Sequence, residues 1–301
     1  METETLQYFL SELFERYQSN VPEVELITRK LIAAGVVDHQ QEIVNDHIAF
    51  RTLGVEYLGI SSFEKIFLKN GYQKMDYLNF PKKKLDAYWY KPPSPAYPRV
   101  FISELRLEEL SAASKGIIGK YLADINRDPL DEIDLRDGEV ITSFLHTPLW
   151  GVPTLAEYQT LLEESEYAAW VMYNRYYLNH YTISVHDLPV GYNRLEEFNV
   201  FAKAIGIKLN SAGGEIKEST DGLLRQSSSV SELKLARFAC GGTLEIAGSY
   251  VEFAERKVLP EFMHLPADRI QPEHRREGFE ARNADKIFES TYTAQIRKSN
   301  S

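Results

Sequence analysis

Apolar positions at the start of the chain recur at helical spacing. Leu6, Phe9, Leu10, Leu13 and Phe14 form one stripe, which predicts an amphipathic helix because residues three and four apart share a helix face. A second helix is predicted from near Asn20, with Pro22 in its first turn and Gly35 at its end, the places where proline and glycine are favoured. From Asp46 the period changes. Residues 46–54 (Asp-His-Ile-Ala-Phe-Arg-Thr-Leu-Gly) read as a strand, and residues 61–70 as a helix with a serine cap that Gly71 stops. Strands are predicted at 72–80, 85–91 and 99–106, separated by Pro81 with its lysines and by the proline-rich stretch from Pro92 to Pro98. The unit is β-α-β-β-β.

Residues 108–178 break that rhythm. Leu107 to Ile125 and Leu155 to Leu178 both look helical, with an acidic, turn-rich piece between Arg127 and Gly138. This layer is expected to bridge, and nothing in it calls for chemistry. The rhythm then returns with a strand at 179–188, a helix at 194–205 ending at Gly206, and strands at 207–210, 215–219, 223–229 and 248–258. Two passages of strand, helix and strands, each opening on an acid or amide followed by histidine, make a weak internal repeat. The expected fold class is α+β: paired βαβββ modules closing a half-open barrel, with added helices. The expected division is an N-terminal helical cap over 1–45, a first module over 46–107, a helical insertion over 108–178, a second module over 179–260 and a C-terminal tail over 261–301 that packs on the core.

Composition narrows the partners. With 301 residues, 44% of them hydrophobic, the chain can bury a full core. No apolar run reaches membrane-spanning length. A formal net charge of −10 argues against a nucleic-acid backbone as partner, and the run Lys82-Lys83-Lys84 beside Pro81 reads as a solvated turn. The single cysteine, Cys240, excludes an internal disulfide. With no signal-peptide layout at its acidic start, the expected place is a reducing cytoplasm. An acidic protein that binds a small anion must set specific arginines in the site.

The repeat singles out candidate chemistry. His47 begins the first strand of one unit and His180 the first strand of the other; Glu252 lies in the last strand of the second. If the units pair about a pseudo-twofold axis, the two histidines face one cavity. Two imidazoles and a carboxylate on one face of a metal leave positions open, an arrangement suited to Fe(II) and oxygen chemistry. Strand alternation puts Arg51 on the His47 face, Thr182 and Ser184 on the His180 face, and Tyr250 on the Glu252 face. Bland alternatives stand beside each choice. A histidine at a strand start is commonly structural, Glu104, Glu245 and Glu255 compete with Glu252, Arg51 can pair with a surface acid, and His186 reads as a strand-end surface residue.

The segments Asp46-His47-Ile48-Ala49-Phe50-Arg51, Asn179-His180-Tyr181-Thr182 and Tyr250-Val251-Glu252-Phe253-Ala254-Glu255-Arg256 resemble those of the DUF1338 family of the vicinal oxygen chelate superfamily. Phe144 to Pro153 is similar in character, and the resemblance runs from about His47 to about Val258. The larger bacterial members carry sequence that this chain lacks. The resemblance implies an Fe(II)-dependent dioxygenase/decarboxylase of lysine breakdown that converts 2-oxoadipate and O2 to 2-hydroxyglutarate and CO2. It implies His47, His180 and Glu252 as metal ligands, with zinc or another divalent ion able to compete, and Arg51 as the holder of a substrate carboxylate. Gln226 and Ser227 are candidate donors behind the ligands. The rival functions are a ring-cleaving or glyoxalase-like enzyme on the same scaffold, and a metal-free protein that binds a small ligand.

Overall fold

The computed structural model describes residues 2–299. The N-terminal helices are α1 (Glu2–Gln18) and α2 (Pro22–Ala33), and Pro22 and Gly35 stand at the expected ends of the second. The apolar stripe of α1 is buried at Leu6, Phe9 and Leu13, and its Tyr17 hydroxyl donates to the backbone carbonyl of Tyr250.

The first unit runs β1 (Asn45–Leu53), α3 (Ile60–Lys69), β2 (Gln73–Phe80), β3 (Leu85–Lys91) and β4 (Arg99–Leu105). The serine cap expected on α3 is not used. The helix opens one residue earlier, behind Gly59, and the Glu104 carboxylate accepts from the Ile60 amide at 2.7 Å. The helical layer that follows holds α4 (Ala112–Leu122), α5 (Gly138–His146), α6 (Leu155–Glu164) and α7 (Glu166–Asn174). Of these, α5 falls mostly beyond the turn-rich piece and was not expected. The run 155–178 is two helices because Ser165 breaks it and caps the second half.

The second unit runs β5 (His180–Ser184), α8 (Leu195–Ala204), β6 (Lys217–Glu218), β7 (Leu224–Ser228), β8 (Leu233–Arg237), β9 (Thr243–Ala247) and β10 (Tyr250–Arg256). Residues 207–210 give only an isolated bridge, Leu209 to Ser229. The hairpin of β8 and β9 was not expected: its outward positions are mostly exposed, so it shows no apolar alternation to read. Two further helices, α9 (Ala281–Ile287) and α10 (Thr293–Ser299), lie in the tail.

Eight strands form one curled sheet in the order β2-β3-β4-β1-β5-β10-β7-β6, with β8 and β9 apart. The order is symmetric about its centre. Strand β1 pairs parallel with β4, and β5 pairs parallel with β10; β1 and β5 meet antiparallel. On the convex face Phe50 packs on Phe63 of α3, and Phe253 packs on Phe198 of α8. Every residue of β5, β7 and β10 is buried, because helices cover one face and the tail covers the concave one.

Candidate metal centre

The centre grows from the antiparallel seam of β1 and β5. His47 pairs with Thr182 and Ala49 with His180, so each histidine sits one residue from the seam's local twofold at Ile48 and Tyr181. Both side chains enter the concave face. The parallel partner β10 brings Glu252 beside Thr182. The Nε2 atoms of His47 and His180 lie 3.4 Å apart. Glu252 places Oε1 3.6 Å from His47 Nε2 and Oε2 3.2 Å from His180 Nε2. Relative exposures are 2%, 6% and 1% for His47, His180 and Glu252.

These spacings fit a metal ion. Donors about 2.1 Å from a common ion stand about 3.0 Å apart at right angles and about 3.4 Å apart at tetrahedral angles. Buried imidazole and carboxylate groups that converge without an ion's charge are costly, and a divalent cation removes that cost. Among the described residues this is the group of histidine and acidic side chains whose donor atoms all fall within 4.8 Å of one another.

The preceding residue orients each histidine. Neighbours on a regular strand point to opposite faces, yet Asp46 Oδ1 is 2.8 Å from His47 Nδ1. The β1–β5 register shifts between Asn45 and His47, and such a bulge re-aims side chains. A carboxylate can only accept, so His47 carries its proton on Nδ1 and turns a lone pair on Nε2 toward the centre. The Thr182 hydroxyl oxygen lies 3.0 Å from that Nε2, beside the space where the lone pair points. Asn179 Oδ1, 3.1 Å from His180 Nδ1, holds the second ring the same way. This is the carboxylate–histidine arrangement common behind metal ligands.

Electrostatics separate the two histidines. Burial works to raise the Asp46 pKa, but Arg256, Arg99 and the bond to His47 hold it well below the usual carboxylate range. Arg256 grips Asp46 with Nε at 2.6 Å and Nη2 at 2.9 Å. Burial works to lower the His47 pKa, and Glu252 and Asp46 reverse this, leaving it raised. His180 lacks such acids behind it, and burial, with the charges of His47 and Arg51, pushes it well below its ordinary value.

Arg51 is buried on the same face of β1. Its guanidinium donates to Thr291 Oγ1 at 3.0 Å and to the Phe288 carbonyl at 3.2 Å, and it lies 5.2 Å and 5.1 Å from the rings of Tyr167 and Trp170. Its Nε is buried without a hydrogen-bond partner. No carboxylate pairs with it among the described residues, so the alternative of a surface ion pair fails.

The rival acids lie elsewhere. Glu104 caps α3. Glu255, on the opposite face of β10, accepts from the Leu195 amide and pairs with Arg225. Glu245 is exposed on the hairpin. His186 follows the end of β5 in a short turn, half-buried, and its Nδ1 accepts from the Arg256 amide. Gln226 does reach the centre, donating from Nε2 to Glu252 Oε1 at 2.6 Å. Ser227 does not, because the next residue of a strand faces away; it bonds Asn199 of α8. Residues missed in the sequence are Phe279, Ala284, Ile287 and Phe288, which with Phe101 and Tyr250 wall a cavity of about 20 Å³ beside the triad.

A curled sheet of two equivalent halves, with two histidines and a glutamate at its seam, defines a glyoxalase-type fold whose buried triad could hold a metal ion. A structure described as a glyoxalase superfamily protein from Ralstonia eutropha matches 93% of this chain and 87% of its own, with a TM-score of 0.73 at 23% identity. The chain belongs to the 2-oxoadipate dioxygenase/decarboxylase family, whose sequence model matches residues 9–265. The chloroplastic 2-oxoadipate dioxygenase/decarboxylase of Arabidopsis thaliana is 45% identical over 274 residues, 87% of this chain and 71% of that protein. The crystal structure of the Oryza sativa hydroxyglutarate synthase in complex with 2-oxoadipate is 42% identical, covers 96% of this chain and 92% of that one, and superposes with a TM-score of 0.86. No helix among the described residues is long and apolar enough to cross a membrane.

Proposed function

We propose that this chain converts 2-oxoadipate and O2 to 2-hydroxyglutarate and CO2, with Fe(II) held by His47, His180 and Glu252. The carrying observation is the buried, pre-oriented triad in a fold that matches the rice hydroxyglutarate synthase at 42% identity. The reaction balances without another reductant: six carbons and seven oxygens enter and leave. A ferrous ion at the triad supplies oxygen activation and polarisation of the 2-oxo acid.

The protein's own part is positioning. Arg51 offers a buried guanidinium with no acidic partner and an unused Nε–H, which suits the substrate's distal carboxylate. Asp46 and Asn179 keep both Nε2 lone pairs aimed at the ion. Phe101, Phe279, Ile287 and Phe288 exclude water from the reacting end. The cavity holds little more than one water, so a six-carbon diacid enters only when apolar side chains of its wall swing aside.

Lysine breakdown is the metabolic setting that this substrate fits. The relative from Arabidopsis is named chloroplastic rather than cytoplasmic, and a lone, exposed Cys240 suits the reducing interior of either compartment. The test is anaerobic Fe(II) reconstitution followed by oxygen uptake with a panel of 2-oxo acids, catechols and hemithioacetals. Uptake with 2-oxoadipate matched by 2-hydroxyglutarate and CO2 supports the proposal. Turnover of catechols or hemithioacetals alone, or the absence of stoichiometric iron, sinks it.

A further inference from the structure

We infer that Asn283, in helix α9 of the tail, is a positioning residue for the metal ligand Glu252 and acts through Gln226. The inference rests on the metal-binding reading above. Its basis is a chain of three buried amide and carboxylate groups whose orientations depend on one another. Gln226 Nε2 donates to Glu252 Oε1 at 2.6 Å. A glutamine amide has nearly the same shape when turned over, and the turned amide would set its oxygen against a carboxylate oxygen, two acceptors in contact. The carboxylate favours one sense, and a donor on the far side of the amide fixes it there. Asn283 does so, donating from Nδ2 to Gln226 Oε1 at 3.1 Å.

The orientation of Asn283 is fixed in turn by groups that cannot turn over. Its Nδ2 also faces the backbone carbonyls of Leu224 at 3.3 Å and Lys217 at 3.4 Å. Carbonyl oxygens only accept, so the nitrogen of Asn283 must stand there. The order then runs from the backbone of β6 and β7 to Asn283, to Gln226, to Glu252. With Oε1 held by an amide, Glu252 keeps Oε2 toward His180 at 3.2 Å. Asn283 and Gln226 are only 1% and 2% exposed, so no solvent competes for these bonds. Loss of Asn283 leaves the buried Gln226 Oε1 without its donor, which loosens the amide and with it the hold on Glu252.

The experiment is an anaerobic Fe(II) titration against a competing chelator, on the full chain and on Asn283→Leu, Gln226→Leu and the double variant. Outer partners of metal ligands are typically worth about 10–100-fold in affinity, and each single variant is expected to weaken Fe(II) binding by about that factor. The double variant should bind no more weakly than Gln226→Leu alone, since Asn283 acts only through Gln226. If Asn283 merely secures α9 against the sheet, its loss costs the same affinity with or without Gln226, and that additive result overturns the inference. Asn283→Asp keeps the shape but cannot donate, and carries the test should the leucine variant not fold; unchanged Fe(II) affinity in that variant overturns the inference too. Failure of the unmodified protein to bind Fe(II) would instead remove the metal reading itself.

Discussion

The two halves of the sheet place different residues at equivalent positions. In the first, His47 pairs with Arg99 and Ala49 with Phe101; in the second, His180 pairs with Tyr250 and Thr182 with Glu252. Phe101 is therefore the counterpart of Glu252. One half supplies the carboxylate and the other an apolar wall at the same depth. Behind the histidines the asymmetry runs the other way, with charged Asp46 in the first half and neutral Asn179 in the second. A facial site needs open positions on one side, and on the proposed reading a phenylalanine where the repeat allows a second acid would leave that side free for substrate.

Making the halves alike behind the histidines should have the largest effect. Asp46→Asn leaves Arg256 without its buried counter-charge, while Arg99 keeps Glu277, and breaking a buried pair costs about 3–5 kcal/mol. Denaturant unfolding at neutral pH should show that loss. The sign with pH follows from the lowered folded pKa of Asp46. Its stabilisation is full above the unfolded value of about 3.9 and is lost as pH falls through the lower folded value. The stability gap between the two proteins should therefore close in strong acid. A gap that persists there contradicts the assignment.

Arg51→Lys tests a feature that only the first half carries. Lysine keeps the charge but not the paired geometry, so iron content should be unchanged while kcat/KM for 2-oxoadipate falls about ten- to a hundredfold, or about 1.5–3 kcal/mol. Normal turnover would reduce Arg51 to a structural cation among Tyr167, Trp170 and Phe288. The smallest change is expected from Asn179→Ala. It removes one neutral hydrogen bond from His180, worth about 0.5–1.5 kcal/mol, and should lower metal affinity only a few-fold by the same titration. A loss of affinity greater than that of Asp46→Asn in the same titration would invert the comparison drawn between the halves.

How far the site could be read in advance follows from range. His47 and His180 were legible because each opens a strand after an acid or amide, and the repeat paired them. Parity put Arg51 with His47 and Tyr250 with Glu252. Parity could not choose among the glutamates, since β10 is buried throughout and offers no exposed face for contrast; Glu255 was excluded only by Arg225 and the Leu195 amide, partners from other elements. The tail was expected to pack on the core, but Asn283, Phe288 and Thr291 sit in a charged stretch whose pattern does not say which face it covers. The helical layer from 108 to 178 was read as inert, yet its Tyr167 and Trp170 flank Arg51. The hairpin of β8 and β9 escaped notice because it buries so little.

The central claim is that one metal ion is held at the seam by both halves, with its carboxylate from the second half alone. The most direct test is the metal content of Glu252→Ala after anaerobic Fe(II) loading and gel filtration, measured beside the unmodified protein and paired with oxygen uptake on 2-oxoadipate. The account predicts about one iron per chain in the unmodified protein, and in Glu252→Ala a loss of iron and turnover together while the fold is kept. Stoichiometric iron and full turnover in Glu252→Ala would contradict it.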